Sequence, residues 1–336
     1  RLRGDRRVTL GVTIGKFYPF HRGHDHLIQS AKAQVQDLVV VVGERPGQAL
    51  PGPLRAGWIR EAHPDVEVLL TPEDIPNEPG PWAERTLALL GGRRADLAFT
   101  SEDYGAAWAE ALGARHVAVD PPRTTCPTSG TALRADLGAH WDWLTPPAKA
   151  HFARRVVVLG VESSGTTSLA RALAERYQTT WVPEYGRAYW EGRRYLSDAD
   201  LWSPSDFSRI AAGQRASEED LARRANRVLI CDTDPLATAV WERRYLGPAT
   251  PLRWDLGGAR RDLYLLTAPD FPFVQDGTRE SEHLRAPAHE WFREALEAQS
   301  APWILLEGSP EDRVQSACEA IAPLLEWAPL ASPEVH

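Results

Sequence analysis

Cysteine is scarce in this sequence. Cys126, Cys231 and Cys318 stand far apart and form no CxxC pair, which speaks against a disulfide framework or a zinc module and points to reduced thiols in a cytoplasmic protein. Long apolar runs are missing as well. No stretch approaches the ~20 residues of a membrane span. The opening RLRGDRRVTLGVTIG has charge but not the long apolar core of a signal peptide. Positive charge is in deficit: the formal net charge is -8. A broad nucleic-acid or anionic-membrane surface needs clustered positive charge, so neither partner is expected. Lysine occurs only at Lys16, Lys32 and Lys149. Arginine, whose planar fork suits phosphate and carboxylate, therefore supplies nearly all the cations.

The 336 residues suffice for about two domains. Apolar runs of strand length alternate with amphipathic runs of helix length. Strands are expected at 8–14, 38–42, 66–70, 97–100 and 116–119, with helices at 23–35, 54–62, 82–90 and 105–112 between them. The rhythm restarts at 155–159 and continues through strands at 228–231, 263–267 and 303–306, with long helices at 205–226 and 310–327. Such alternation reads as βαβ units on parallel sheets. Pro146-Pro147 interrupts any helix, so the boundary is drawn near residue 150, giving domains 1–150 and 151–336. The fold class is α/β, with two doubly wound parallel-sheet domains.

GKFYPFHRGH, residues 15–24, follows the first strand, where ligands of a doubly wound sheet bind. Gly15 lets backbone approach a ligand, Pro19 stiffens the loop, and Gly23 opens a helix whose amides face a phosphate. His21 and His24 can project to one side of that turn. As metal ligands they lack a third partner. Packing or capping roles and phosphate contact remain open.

The string G-x-F-x-P-x-H-x-G-H resembles the HxGH nucleotidyltransferases. Its second half is TSGTALR, residues 128–134, with Ser129 and Thr131 to cap and donate and Arg134 to clamp a triphosphate. With the P-loop described next, nearly the whole chain resembles the NadR-type family, bifunctional nicotinamide mononucleotide adenylyltransferase and ribosylnicotinamide kinase. The helix–turn–helix that some members carry ahead of the transferase is not expected here. The resemblance implies an HxGH Rossmann domain that moves AMP from ATP onto nicotinamide mononucleotide. It casts Lys16, His21, His24 and Arg134 as catalytic, Gly15, Phe17, Ser129 and Thr131 as nucleotide-binding, and Trp82 and Arg55, with Trp58 beside them, as substrate contacts. Trp82 is equally natural as a core tryptophan.

GVESSGTTS, residues 160–168, lies between an apolar strand and an amphipathic stretch, the setting of a P-loop, G-x-x-x-x-G-K-[ST]. Gly160, Gly165 and Thr167 fit; Thr166 stands where lysine belongs. Backbone amides can still cradle phosphate, so Gly160, Ser163, Ser164, Gly165, Thr166, Thr167 and Ser168 are expected at ATP. Thr167 and Asp232 are expected at Mg²⁺. Arg279 or Arg285 would replace the lost cation. Glu184 or Asp232 would take the ribose hydroxyl proton. The resemblance implies that Arg187, Asp206, Gln214, Asp234 and the lid residues Asp276 and Arg279 face nicotinamide riboside, with Gln275 standing where an acidic residue is expected. The alternative is a domain that senses nucleotide without transferring phosphate. A different HxGH substrate, such as pantetheine phosphate, is the rival for the first domain. A homo-oligomer is compatible with all of this.

Overall fold

The computed structural model describes residues 9–196, 202–247, 249–251, 260–273 and 282–332. The chain forms two compact units, Arg1–Ala148 with Trp327–His336, and Lys149–Glu326.

The first unit runs β1 (Leu10–Gly15), α1 (Arg22–Lys32), β2 (Asp37–Glu44), α2 (Gly52–Ala62), β3 (Glu67–Pro72), α3 (Pro79–Leu89), β4 (Leu97–Thr100), α4 (Gly105–Leu112), β5 (Arg115–Ala118) and α5 (Gly130–Ala135). All strand pairs are parallel, in the order β3-β2-β1-β4-β5. Leu38 to Val42 of β2 are all buried, as a parallel strand covered on both faces requires. The strand order reverses beside β1, so the crevice beyond the carboxyl ends of β1 and β4 is the natural ligand position. The end of the chain returns to this unit: the Trp327 ring lies 5.6 Å from that of Trp141, and the Leu330 amide donates to the Arg134 carbonyl at 2.9 Å.

The second unit follows α6 (Pro146–Phe152), with β6 (Arg154–Gly160), α7 (Thr166–Arg176), β7 (Trp181–Val182), α8 (Tyr185–Arg193), α9 (Pro204–Ala222), β8 (Val228–Asp232), α10 (Pro235–Leu246), β9 (Leu263–Thr267), α11 (Arg285–Glu297), β10 (Trp303–Leu306) and α12 (Pro310–Ile321). Its sheet is also parallel, ordered β10-β9-β6-β8-β7. The order reverses at β6, the strand that feeds the glycine-rich loop. Val156, Val158, Ile230 and Leu265 meet Leu169 and Leu173 of α7 in one apolar cluster.

Two expectations change. Pro146-Pro147 starts a helix, α6, where a break was expected; a first-turn proline loses only an amide that has no helical partner. The last helix stops at Ile321 and passes into a 3-10 turn at Ala322–Leu325, because Pro323 cannot donate to the ladder. All three cysteines are free. Among the described residues no helix is long and apolar enough to cross a membrane.

Candidate active sites

In the first unit His21 is the N-cap of α1. Its Nδ1 accepts the amides of Gly23 at 3.1 Å and His24 at 3.4 Å. A ring nitrogen that accepts carries no proton, so the neutral ring keeps its hydrogen on Nε2. The His24 ring stacks on it, centroids 3.7 Å apart. Burial, then the nearby charges of Arg123 and Arg134, lower the His21 pKa to about 3. Burial, then His21 and Arg123, also hold His24 well below the usual range, against the Pro19 carbonyl. Both imidazoles are therefore neutral N–H donors at pH 7, and the positive charge beside them includes that of Arg123 and Arg134.

The two halves of the signature meet. Arg134 donates Nη1 to the Tyr18 carbonyl at 3.0 Å and Nη2 to the Thr131 hydroxyl at 3.0 Å. Ser129 caps α5, its hydroxyl accepting the Ala132 amide at 3.1 Å. A Cβ on Gly130 would come within 2.9 Å of the Tyr18 carbonyl, so glycine lets α5 close on the loop after β1. A cavity of ≈ 1120 Å³ opens here, with Lys16, His21, His24, Trp82, Thr131 and Arg134 in its wall. Gly15, Phe17 and Ser129 line it too. Arg55 does not. It is fully buried, with its guanidinium on the carbonyls of Leu50, Lys16 and Gly43 and on Gln48, where it fastens loops. Trp58 is likewise buried. The expected substrate contacts of both are thus withdrawn.

In the second unit Gly160 ends β6. A Cβ there would sit 2.1 Å from the Thr267 hydroxyl and 2.5 Å from that of Ser164. Ser163 and Gly165 take left-handed φ values of 60° and 86°, curling the loop into an anion-binding concavity. α7 begins with no side-chain cap, leaving first-turn amides for a ligand. Thr167 donates its hydroxyl to Asp232 Oδ2 at 2.6 Å. Asp232 Oδ1 is buried without a hydrogen-bond partner. Burial raises this carboxyl, against the hydroxyls of Thr167 and Thr166 and the charge of Arg187. One unpartnered carboxylate oxygen beside a hydroxyl fits Mg²⁺, which is usually held by one or two carboxylates plus substrate phosphates.

A cavity of ≈ 210 Å³ joins this loop to Glu184, Arg187, Trp190, Trp202, Gln214 and Tyr245. Burial, then the charge of Asp232, raise the Glu184 pKa to about 7; Arg187 pulls it down and Glu162 pushes it up. Gln214 accepts the Tyr185 amide at 2.9 Å and donates to the Thr233 carbonyl at 3.3 Å, fastening the start of α8 to the end of β8. Beneath the loop Arg313 of α12, only 2% exposed, donates to the carbonyls of Ser164 at 2.7 Å, Ala268 at 3.1 Å and Gly308 at 3.1 Å. It also pairs with Asp270.

Four expected residues are placed elsewhere. Ser164 is fully buried and turns its hydroxyl to the Val161 carbonyl and to Thr267; its amide also donates to Val161. Asp206 closes the capping box of α9 and takes Tyr189 at 2.6 Å and Arg193 at 2.9 Å. Asp234 caps α10 and is bound by Arg261 and Tyr264, each at 2.9 Å. Arg285 donates to the Phe271 carbonyl at 3.0 Å and is not among the residues lining the loop cavity. Gln275, Asp276 and Arg279 lie outside the described residues.

The model of the AAA domain family matches residues 155–313. The trifunctional NAD biosynthesis/regulator protein NadR of Escherichia coli (strain K12) is 32% identical over 298 residues, covering 82% of this chain and 72% of that protein. The chain belongs to the NadR family of NAD-biosynthesis enzymes. Crystal structures of NadR protein, one in complex with NR and one with NAD and AMP-PNP, each match at a TM-score of 0.70 and 23% identity. They cover 95% and 97% of this chain and 96% and 99% of theirs, a likeness of fold.

For a NadR-family chain the sequence left two features unread. Arg123 lines the first cavity, held with a left-handed φ of 53° in a loop whose amides at Thr124, Thr125 and Cys126 bind the Asp120 carboxylate. The signal was Asp-Pro-Pro-Arg, a turn that presents its arginine. The aromatic wall of Trp190, Trp202, Phe207 and Tyr245 in the second cavity comes from separate segments, and no local pattern announces it.

Proposed function

We propose that the first unit transfers AMP from ATP to nicotinamide mononucleotide, releasing pyrophosphate and forming NAD, and that the second phosphorylates nicotinamide riboside with ATP. The observation that carries the reading is the meeting of His21, His24 and Arg134 in one cavity. The mononucleotide phosphate is already an anion and needs no base. The site has to align two phosphates and offset the charge that develops between them. Neutral imidazole N–H groups donate without repelling Arg134 or Arg123, so donors and cations act together.

In the second unit the aromatic wall supports nicotinamide riboside. Its ring bears a positive charge, and aromatic faces attract cations. The rings of Trp202 and Tyr245 lie 5.0 Å apart and those of Trp190 and Trp202 5.8 Å apart. Glu184, with a pKa of about 7, is matched to accepting the ribose hydroxyl proton near neutral pH. Thr167 and Asp232 would hold Mg²⁺, which neutralises phosphate charge when bound. The free cysteines support a reducing, cytoplasmic setting.

Thr166 favours a second reading, in which this unit binds nucleotide without transferring phosphate. Purified chain with ATP, Mg²⁺ and each substrate tests both. NAD and pyrophosphate from nicotinamide mononucleotide, with little turnover of pantetheine phosphate, is the expected transferase result; absence of that preference removes it. Conversion of nicotinamide riboside to its mononucleotide supports the kinase, whereas two AMP-PNP sites per chain without conversion select the sensor.

A further inference from the structure

Thr166 leaves the loop without the cation that usually spans the β- and γ-phosphates, and its three-heavy-atom side chain cannot reach them. We infer that Arg187, the one arginine or lysine among the described residues lining the loop cavity, takes over that role. This rests on the kinase reading of the second unit and moves Arg187 from the nucleoside to the phosphate donor.

Arg244, Arg285 and Arg313 stand near the loop but do not line its cavity. Arg313 lies beneath it, donating to three carbonyls. Arg244 is paired with Glu162 at 3.0 Å and packed over the rings of Trp241 and Tyr245. Arg285 serves the Phe271 carbonyl.

Arg187 stands on an element built to hold it. It lies in the first turn of α8, three residues after Glu184, so the two share a side of that turn. Gln214 clamps the turn to the end of β8 through Tyr185 and Thr233, which brings the arginine beside the Thr167–Asp232 pair. Its charge is felt at both carboxylates, lowering the pKa of Glu184 and of Asp232. A guanidinium offers a planar fork and holds two phosphate oxygens at once. In the transfer, the 5′-hydroxyl oxygen bonds to the γ-phosphorus while the bond from that phosphorus to the β–γ bridging oxygen breaks. ADP leaves with the electron pair, and the hydroxyl proton passes to Glu184. Arg187 offsets the charge gathering on the bridging oxygen.

The test uses the full chain, AMP-PNP binding and nicotinamide riboside phosphorylation. R187A should lower kcat by about 10²–10³-fold, the usual effect of removing one preorganised donor. AMP-PNP affinity at the second unit's site, resolved from the first by a two-site fit, should hold within about threefold, since main-chain amides make the nest; this also reports that the unit is folded. Restoring the loop lysine in R187A/T166K should raise kcat at least about tenfold over R187A, a rescue that a nucleoside-binding arginine would not allow. An active wild type whose kcat R187A leaves within about threefold overturns the assignment alone. So does a double variant no faster than R187A. A wild type that binds AMP-PNP but never phosphorylates the riboside overturns the kinase reading and this inference with it.

Discussion

Replacing Glu184 by glutamine should stabilise the second unit at alkaline pH while abolishing phosphoryl transfer. Glu184 has a pKa of about 7 in the fold against 4.5 for the ordinary group, through burial first and then the charge of Asp232. Between those values the native state holds a proton that the unfolded chain has lost. Stability therefore falls as pH rises through this window, by about 1.4 kcal/mol per unit. By pH 8.5 the raised pKa costs about 3.4 kcal/mol, of which about 1.4 is already present at pH 5.5. Glutamine carries no such cost. The stability of E184Q relative to wild type should thus widen by about 2 kcal/mol between pH 5.5 and 8.5. Urea unfolding followed by tryptophan fluorescence at the two pH values measures it. Glu218, also raised to about 7 by burial, is present in both proteins and cancels in the difference. In wild type the acid limb of phosphoryl transfer should fall near pH 7. A gap that stays constant with pH, or an E184Q less stable than wild type at pH 8.5, refutes the reasoning.

In the first unit H21A should slow adenylyl transfer by about 10²–10³-fold and cost about 1 kcal/mol as a lost cap, read by pyrophosphate release and by denaturation. Because burial and two arginines put the His21 pKa at about 3, its ring resonances should not titrate between pH 5 and 8 in NMR spectra. G160A should remove one of two AMP-PNP sites, that of the second unit, while adenylyl transfer persists, because its Cβ would meet Thr267 at 2.1 Å; an unchanged binding stoichiometry would show the loop to be looser than described. D234A should destabilise the second unit by about 3–5 kcal/mol, since Arg261 would lose one partner of a buried pair. The riboside KM should be unchanged in the folded variant, and a raised KM would return Asp234 to the site.

The strands were legible because both faces of a parallel sheet are covered, so Leu38–Val42 and Val156–Leu159 read as unbroken apolar runs. The two glycine-bearing loops were legible because their backbone demands are local: Gly23 packs under the His21 ring, and Gly160 leaves no room for a Cβ. What a polar residue after a strand does was harder to read. Asp232 and Asp234 are neighbours in sequence, but Thr233 takes a left-handed φ of 69°. The chain turns there, sending one carboxylate to the loop and the other to Arg261 and Tyr264. Those partners lie in and just ahead of β9, which no local pattern connects to them. Asp206 was misread although Ser-Pro-Ser-Asp, residues 203–206, spells a capping signature. Arg55 was misread because a buried arginine serving carbonyls looks, in sequence, like one awaiting a phosphate.

Arg313 also sets an order of events. Its grip on the Ser164 carbonyl means that a loop made early in the second unit takes its curvature from a helix synthesised near that unit's end. A ribosome-bound chain lacking α12 has the glycines but not the clamp beneath them. The second unit of a nascent chain should therefore bind no ATP until translation has passed residue 313, and a stop codon short of that point should leave its loop unable to hold nucleotide.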